Sequence, residues 1–379
     1  MGGNSLSNNR IKVAICANSL HINGISAVIM NYCRNIDLSK FEINILVGAP
    51  IEETYRDQCR KLGITVIELP ERKKSPIQFY SALRKELYKN KFDIFHVHGN
   101  SATITIELMI AYLNGIRVRI AHGHSSTCNH IKIHRVLHPI FDRLYTAGFA
   151  CSTLSAHWMY GDKEFTVIPD GLETEKYRYS ENDRRQVRKR LGLENAFVIC
   201  HVGRFNSAKN HPYLIDIFEN VASEKENAIL LLVGDGPDFK LIKNLAKNSK
   251  HSDRIIFYGE SKEVGTILSA SDIFIYPSKA EGFGIAVLEA QISGLPCIVS
   301  DQLPKDVILG EGITFLPIDE TDVETWKNEI LSVDIGTERR FDFYEKNSER
   351  IMQYDINMNV KKLEKQYEEL YRLKYIKNL

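Results

Sequence analysis

The stretch Ile273-Phe274-Ile275-Tyr276-Pro277, followed after three residues by Glu281-Gly282-Phe283-Gly284-Ile285-Ala286-Val287-Leu288-Glu289, reads as a buried strand, a glycine-rich loop and the start of an apolar helix. One acid stands in the loop and a second follows eight residues later on the helix. Exposed N–H groups at a helix start, with the dipole behind them, favour an anion such as a diphosphate. Carboxylates only accept hydrogen bonds, and the paired hydroxyls of a sugar or ribose donate them. An anion seat flanked by two such acceptors suggests a nucleotide-sugar site rather than a bare nucleotide site.

The strand–loop–helix unit recurs on both sides of this stretch. Strand candidates in the first half are 11–17, 42–47, 65–69, 92–97, 117–121, 148–151 and 166–168, with helical stretches such as 27–34, 77–88, 103–113 and 133–144 between them. The pattern restarts at 197–202 and continues through 229–233, 255–258, 273–276, 297–299 and 314–316. Strands alternating with helices mean crossover connections and parallel sheets, an α/β class. A chain of 379 residues exceeds one comfortable core, so two domains are expected. The polar, charged stretch from Leu172 to Leu191 reads as a linker and the first helix of the second domain. Its cluster Arg184, Arg185, Arg188, Lys189 and Arg190 reads as a solvated helix face. Leu363, Tyr367, Leu370 and Tyr371 fall at helical spacing and need a surface to cover, on either domain.

Composition narrows the function classes. A net charge of +1 argues against a dedicated nucleic-acid binder. Seven cysteines occur singly with no C-x-x-C pair, as expected of reduced core residues in a cytoplasmic protein. The N-terminus carries no apolar signal region, and no run of 18 apolar residues is long enough to span a membrane. Peripheral association with a membrane is left open.

In open parallel sheets, ligands bind beyond the carboxyl ends of the strands. After the strand at 197–202 comes Gly203-Arg204-Phe205-Asn206-Ser207-Ala208-Lys209, where two cations five residues apart could neutralise a departing diphosphate. Gly234-Asp235-Gly236-Pro237 follows the next strand; the sixth position of a dinucleotide fingerprint is Phe239, so the segment reads as a tight turn whose proline opens a helix. Asn23-Gly24 precedes an apolar helix, and Gly24 would allow close backbone approach to a ligand. His96 with His98, and His122 with His124, alternate along two strand ends, so each pair shares a face. No Cys, Asp or Glu is seen to complete a metal set, and no metal is expected. D-x-D, P-loop and G-x-S-x-G motifs are absent from the sequence.

Gly203-Arg204 with Lys209, then Gly234-Asp235-Gly236-Pro237, then Ser278 and Glu281-Gly282-Phe283-Gly284 with Glu289, closely resemble in order and spacing the retaining GT-B glycosyltransferases of family 4, including their E-x7-E arrangement. Ile168-Pro169-Asp170-Gly171-Leu172 resembles that family's I-P-N-G strand end. Ala121-His122-Gly123-His124-Ser125 and Ala150-Cys151-Ser152 resemble acceptor-domain segments of capsular and exopolysaccharide enzymes. The resemblance covers about residues 10 to 375 and is most specific in the C-terminal motifs.

It implies a GT-B architecture of two Rossmann-like β/α/β domains facing across a cleft. Residues 1–175 would form the acceptor domain, with a C-terminal helix of about 357–379 packing back on it. Residues 176–356 would form the nucleotide-sugar domain. It implies that Arg204 and Lys209 hold the diphosphate, that Glu281 accepts from donor-sugar hydroxyls, and that Glu289 accepts from the ribose. Gly24, Gly203 and the backbone of Gly282, Phe283, Gly284 and Ile285 would lie near the donor, and His122 or His124 would line the sugar site. The implied activity is transfer, with retention, from a nucleoside diphosphate sugar to a glycan or lipid-linked acceptor in cell-surface polysaccharide biosynthesis. UDP is the assumed nucleotide, and no cofactor is implied. The same fold also serves sugar-nucleotide epimerases, glycogen-synthase-like polymerases and non-enzymatic sugar-nucleotide binders. Two departures stand out: Asn23 replaces a glycine, and Asp170 replaces an asparagine. An added charge at Asp170 would be unwelcome beside diphosphate but harmless in a hinge.

Overall fold

The computed structural model describes residues 10–21, 24–128, 130–319, 322–334 and 336–376. The chain forms two compact units. The first takes in the chain as far as Leu172 together with the segment from Ile356 onward; the second runs Glu173–Asp355.

Seven strands build the first unit's sheet: β1 Ile11–Ala17, β2 Phe41–Val47, β3 Thr65–Glu68, β4 Ile94–Gly99, β5 Val118–Gly123, β6 Ala147–Ala150 and β7 Thr166–Val167. All pair in parallel, in the order β3-β2-β1-β4-β5-β6-β7. The second sheet has six parallel strands: β8 Phe197–Val202, β9 Ala228–Val233, β10 Ile255–Gly259, β11 Ile273–Tyr276, β12 Cys297–Ser300 and β13 Ile313–Leu316. Its order, β10-β9-β8-β11-β12-β13, repeats the pattern of the first. In both sheets the order reverses beside the first strand, the switch point where doubly wound folds leave a crevice. Each expected strand is present, with ends displaced by one or two residues. The central strands are near-continuously apolar because helices cover both faces. Each unit has its own core, around Phe79, Phe95 and Phe141 in the first and Phe205, Phe218 and Trp326 in the second.

Local chemistry sets the boundaries that matter for function. Ser152 caps the helix Thr153–Tyr160, accepting from the Ser155 N–H at 3.1 Å. Ser180 caps Glu181–Leu191 in the same way, and Gly192 ends that helix in the left-handed conformation. The basic cluster on this helix is not a uniformly solvated face. Arg185, Lys189 and Arg190 are exposed, whereas Arg188 is buried and, with Arg184, holds the buried Asp272 at 2.5 Å per contact. Asp272 also accepts the Val198 N–H at 2.7 Å, so this charge cluster pins the helix to the start of β8.

The C-terminal helix Ile356–Tyr371 belongs to the first unit. Ile356, Val360, Leu363 and Tyr367 form its buried stripe. Tyr367 packs edge-on against Phe41 with ring centroids 5.7 Å apart, and Glu364 accepts the Asp37 N–H at 2.7 Å. Among the described residues no helix is long and apolar enough to cross a membrane.

Candidate active site

In the second unit, the expected donor-site residues gather where β8, β9 and β11 end. Lys209 closes a short turn after β8, its N–H held by the Asn206 side chain at 3.2 Å. Its ammonium contacts both the Tyr276 hydroxyl and Glu281 Oε1, and lies 4.8 Å from the Tyr276 ring centroid. The same Oε1 accepts from Ser278 Oγ at 2.6 Å and from the Tyr276 hydroxyl at 3.1 Å. Ser278 Oγ and the Lys279 N–H bond the Ala208 carbonyl at 2.9 and 2.8 Å, which ties the two loops together. Arg204 stands exposed in the first of these loops.

Glycines make this convergence sterically feasible. A Cβ on Gly234, whose φ is +134°, would lie 2.1 Å from the Gly203 carbonyl oxygen. One on Gly236 would lie 2.4 Å from the Phe205 carbonyl oxygen. Backbone bonds then lock the loops: Phe205 N–H to Asp235 O and Asp238 N–H to Phe205 O, each 3.0 Å. The Gly-Asp-Gly-Pro turn is therefore a spacer that positions the Arg204 loop. Pro237 does not open the following helix, which begins at Phe239 after Asp238.

Gly284 precedes the helix Ile285–Ile292 in the left-handed region, φ +97°. Backbone N–H groups at such a helix start are suited to seat an anion. Phe283 contributes backbone only, since its ring is buried against Tyr354 at 5.2 Å between centroids. One turn into the helix, Glu289 is hydrogen-bonded by Tyr177, and burial pushes its carboxyl up to about 7. Burial and the facing Glu289 carboxylate raise the Tyr177 hydroxyl well above its usual range.

Tyr276, Tyr177 and Ser278 complete the site beyond the charged residues named from the sequence. Tyr276 carries a sequence signal, being the last residue of a strand at the ligand-facing end. Tyr177 carries none: its pairing with Glu289 bridges 112 residues of chain.

The first unit contains a different cluster. Register pairs His98 with His122 and His96 with Ile120 on β4 and β5. The four imidazoles of His96, His98, His122 and His124 stack with centroids 4.3–5.2 Å apart. His96 Nδ1 meets the Tyr367 hydroxyl at 2.6 Å and its Nε2 meets His122 Nδ1 at 3.1 Å; His98 Nδ1 meets His124 Nε2 at 2.8 Å. Burial, reinforced by the neighbouring imidazoles, lowers the basicity of His96, His98 and His122, so these rings are neutral. Asp170 is buried, its Oδ1 3.6 Å from His124 Nδ1. One sequence reading is corrected here. A Cys and an Asp do join the histidines: His124, Cys151 and Asp170 offer ligand atoms within 4.8 Å of one another, as do His96, His98 and His122.

Gly24 begins the helix Gly24–Asn35, with open space around the position of a Cβ. Asn23, which stands where the resemblance has a glycine, lies outside the described residues. Of the basic residues in this half, Arg119 is buried and donates to the Leu144 and Ile116 carbonyls at 2.6 Å each, a structural role. Lys132, Arg135 and Arg143 are exposed on one helix.

Two parallel doubly wound units are the GT-B architecture. Residues 183–350 match the family described as Glycosyl transferases group 1, and this match together with the relatives indicates a glycosyltransferase. It is 27% identical over 345 residues, covering 86% of this chain and 88% of the relative, to the UDP-Gal:alpha-D-GlcNAc-diphosphoundecaprenol alpha-1,3-galactosyltransferase of Escherichia coli. It is 26% identical over 352 residues, 89% of this chain and 91% of the other, to EpsF of Bacillus subtilis, itself named only provisionally as a glycosyltransferase. The fold matches a solved structure of Anabaena HepE in complex with UDP and glucose, with a TM-score of 0.77 at 16% identity, over 94% of this chain and 99% of that one.

Proposed function

We propose that the chain transfers a hexosyl group, with retention, from a UDP-sugar to a hydroxyl of a lipid-diphosphate-linked glycan during cell-surface polysaccharide assembly. The single observation that carries this reading is the knot of Lys209, Tyr276, Ser278 and Glu281 beside the exposed Arg204 and the Gly284 helix start. It presents cations and N–H groups for a diphosphate next to a carboxylate for sugar hydroxyls. Arg204, Lys209 and the helix start stabilise the charge that develops on the leaving diphosphate. The bond from the sugar's anomeric carbon to the phosphate oxygen breaks, and the bond to the acceptor oxygen forms on the same face. The acceptor proton passes to the departing phosphate oxygen. Glu281 takes no covalent role, because its carboxylate is committed to Lys209, Tyr276 and Ser278. Glu289 holds the ribose. In this reading the second unit binds the donor and the first receives the acceptor. No bound metal is required for the transfer itself.

A lipid-linked acceptor is supported by the helix Ile131–Leu144. It exposes Ile133, Val136 and Ile140 beside Lys132, Arg135 and Arg143, an apolar strip with basic flanks suited to an anionic membrane surface at the cytoplasmic face. The Escherichia coli relative is named for a diphosphoundecaprenol-linked acceptor.

The deciding experiment is a panel of nucleotide-sugars screened by thermal shift, followed by transfer of labelled sugar to a lipid-diphosphate glycan and assignment of the anomeric configuration. A UDP-sugar is expected to raise the melting temperature most and to yield a retained linkage. Release of free epimerised sugar-nucleotide, or binding without turnover on any acceptor, would overturn the reading. Vesicle co-sedimentation tests the surface helix: anionic vesicles should retain the protein, zwitterionic ones should not, and Val136→Glu should abolish retention.

A further inference from the structure

β5, β6 and β7 lie side by side and parallel, so their carboxyl ends present three consecutive loops on one edge. His124 follows β5 directly and Cys151 follows β6 directly, with the Cys151 N–H bonded to Gly123 O at 3.0 Å. Asp170 follows β7 by three residues. The three side chains converge: His124 Nδ1, Cys151 Sγ and a carboxylate oxygen of Asp170 all lie within 4.8 Å of one another. His124 Nδ1 and Asp170 Oδ1 face each other at 3.6 Å, too far for a hydrogen bond, and neither has a hydrogen-bond partner although both are buried. Buried polar atoms left unsatisfied are costly, so two that face each other call for something to join them.

We propose that His124, Cys151 and Asp170 bind a zinc-class divalent transition metal. Imidazole nitrogen, thiolate sulfur and carboxylate oxygen are the donor types zinc takes, at about 2.0–2.3 Å. Tetrahedral bonds of that length put ligand atoms roughly 3.3–3.6 Å apart. The 3.6 Å nitrogen–oxygen separation already fits this spacing. The second shell is also in place. His98 Nδ1 meets His124 Nε2 at 2.8 Å. With the shared proton on His124 Nε2, its Nδ1 is left as a bare lone pair toward Asp170. Binding exchanges the Cys151 S–H bond for a sulfur–metal bond and releases one proton to solvent. Three protein ligands leave a fourth position open, the arrangement of a site that receives water or a ligand oxygen rather than a closed structural knot. An asparagine at position 170 would lack the charge, so the departure from the family pattern at Asp170 is what equips this chain for the ion.

The inference rests on residues of the first unit alone, and its readout needs neither donor binding nor transfer. Cobalt(II) titration of the full, chelator-treated chain tests it, because a cobalt–thiolate bond gives a near-ultraviolet charge-transfer band. One equivalent of cobalt should produce that band, and zinc should displace it. Cys151→Ser should remove the band, Asp170→Asn should weaken binding by about tenfold or more, and Cys128→Ser should leave both unchanged. Circular dichroism melts check that each variant is folded; Asp170→Asn, nearly isosteric, keeps the test valid where Cys151→Ser unfolds. Absence of the band in the parent chain, its survival in Cys151→Ser, its loss in Cys128→Ser, or unchanged affinity in Asp170→Asn would each overturn the proposal.

Discussion

At the scale of single residues, the Lys209–Glu281 pair joins stability to chemistry. Both side chains are mostly buried, at 16% and 11% exposure, so removing one partner strands the other's charge. Lys209→Ala is expected to lower kcat at saturating donor by about 10²–10³-fold and to cost about 3 kcal/mol of stability. The Lys209→Ala, Glu281→Ala double variant should recover much of the stability in chemical denaturation but none of the activity. Recovery of both would remove Lys209 from the transfer step. Glu289 makes a pH prediction. Burial raises its carboxyl from 4.5 to about 7, so the native chain keeps a proton that the unfolded chain loses within that window. That contribution to stability is complete below pH 4.5 and is lost as pH rises toward 7, with the slope flattened in Glu289→Gln. In the proposed donor site the ribose needs the ionised form as acceptor, so donor affinity should move the opposite way. It is expected to rise about tenfold between pH 6 and pH 8, read from the donor Kd, and to lose that step in Glu289→Gln. The cations and acids of this candidate site were legible in the sequence because each pair falls a few residues apart within one short segment. Tyr177 was not, since only folding brings it to Glu289.

At the scale of elements, the strands were readable almost residue by residue. Apolar runs of four to seven residues between helical stretches admit little else in a chain of this length. Errors fell where an element's end depends on a partner. β4 runs on through His98 and Gly99 because they pair with His122 and Gly123, and a single strand's composition does not announce its neighbour's length. The Arg184–Arg190 cluster looked solvated because the sequence does not show that Asp272 waits beneath it. Glycine contacts yield a sharp prediction at this scale. Gly234→Ala collides with the Gly203 carbonyl at 2.1 Å in a positive-φ conformation, and should destabilise the second unit severely and abolish donor binding. Gly63→Ala shares the positive φ, +70°, but meets nothing within 4 Å, and should cost only about 1 kcal/mol with activity retained. Thermal melts with and without UDP separate the two cases.

At the scale of the whole molecule, the chain leaves its first unit at Leu172 and returns to it at Ile356. The closing helix covers Phe41 and reaches His96 through Tyr367, so it is part of the first unit's core rather than a tail. Truncation before Ile356 is expected to destabilise the first unit while the second keeps its UDP-dependent thermal shift; loss of that shift would contradict two separate cores. The sequence by itself determined the α/β class, the repeated strand pattern and the charged loop residues of the candidate donor site. Those properties are written in short-range periodicity and in motifs a few residues long. Only the tertiary structure decided that Lys209 pairs with Glu281, that Tyr177 meets Glu289, and that Asp170 and Cys151 close on His124. Each of those depends on which strand ends lie side by side, and sheet order is set by packing of distant segments rather than by any local run of residues.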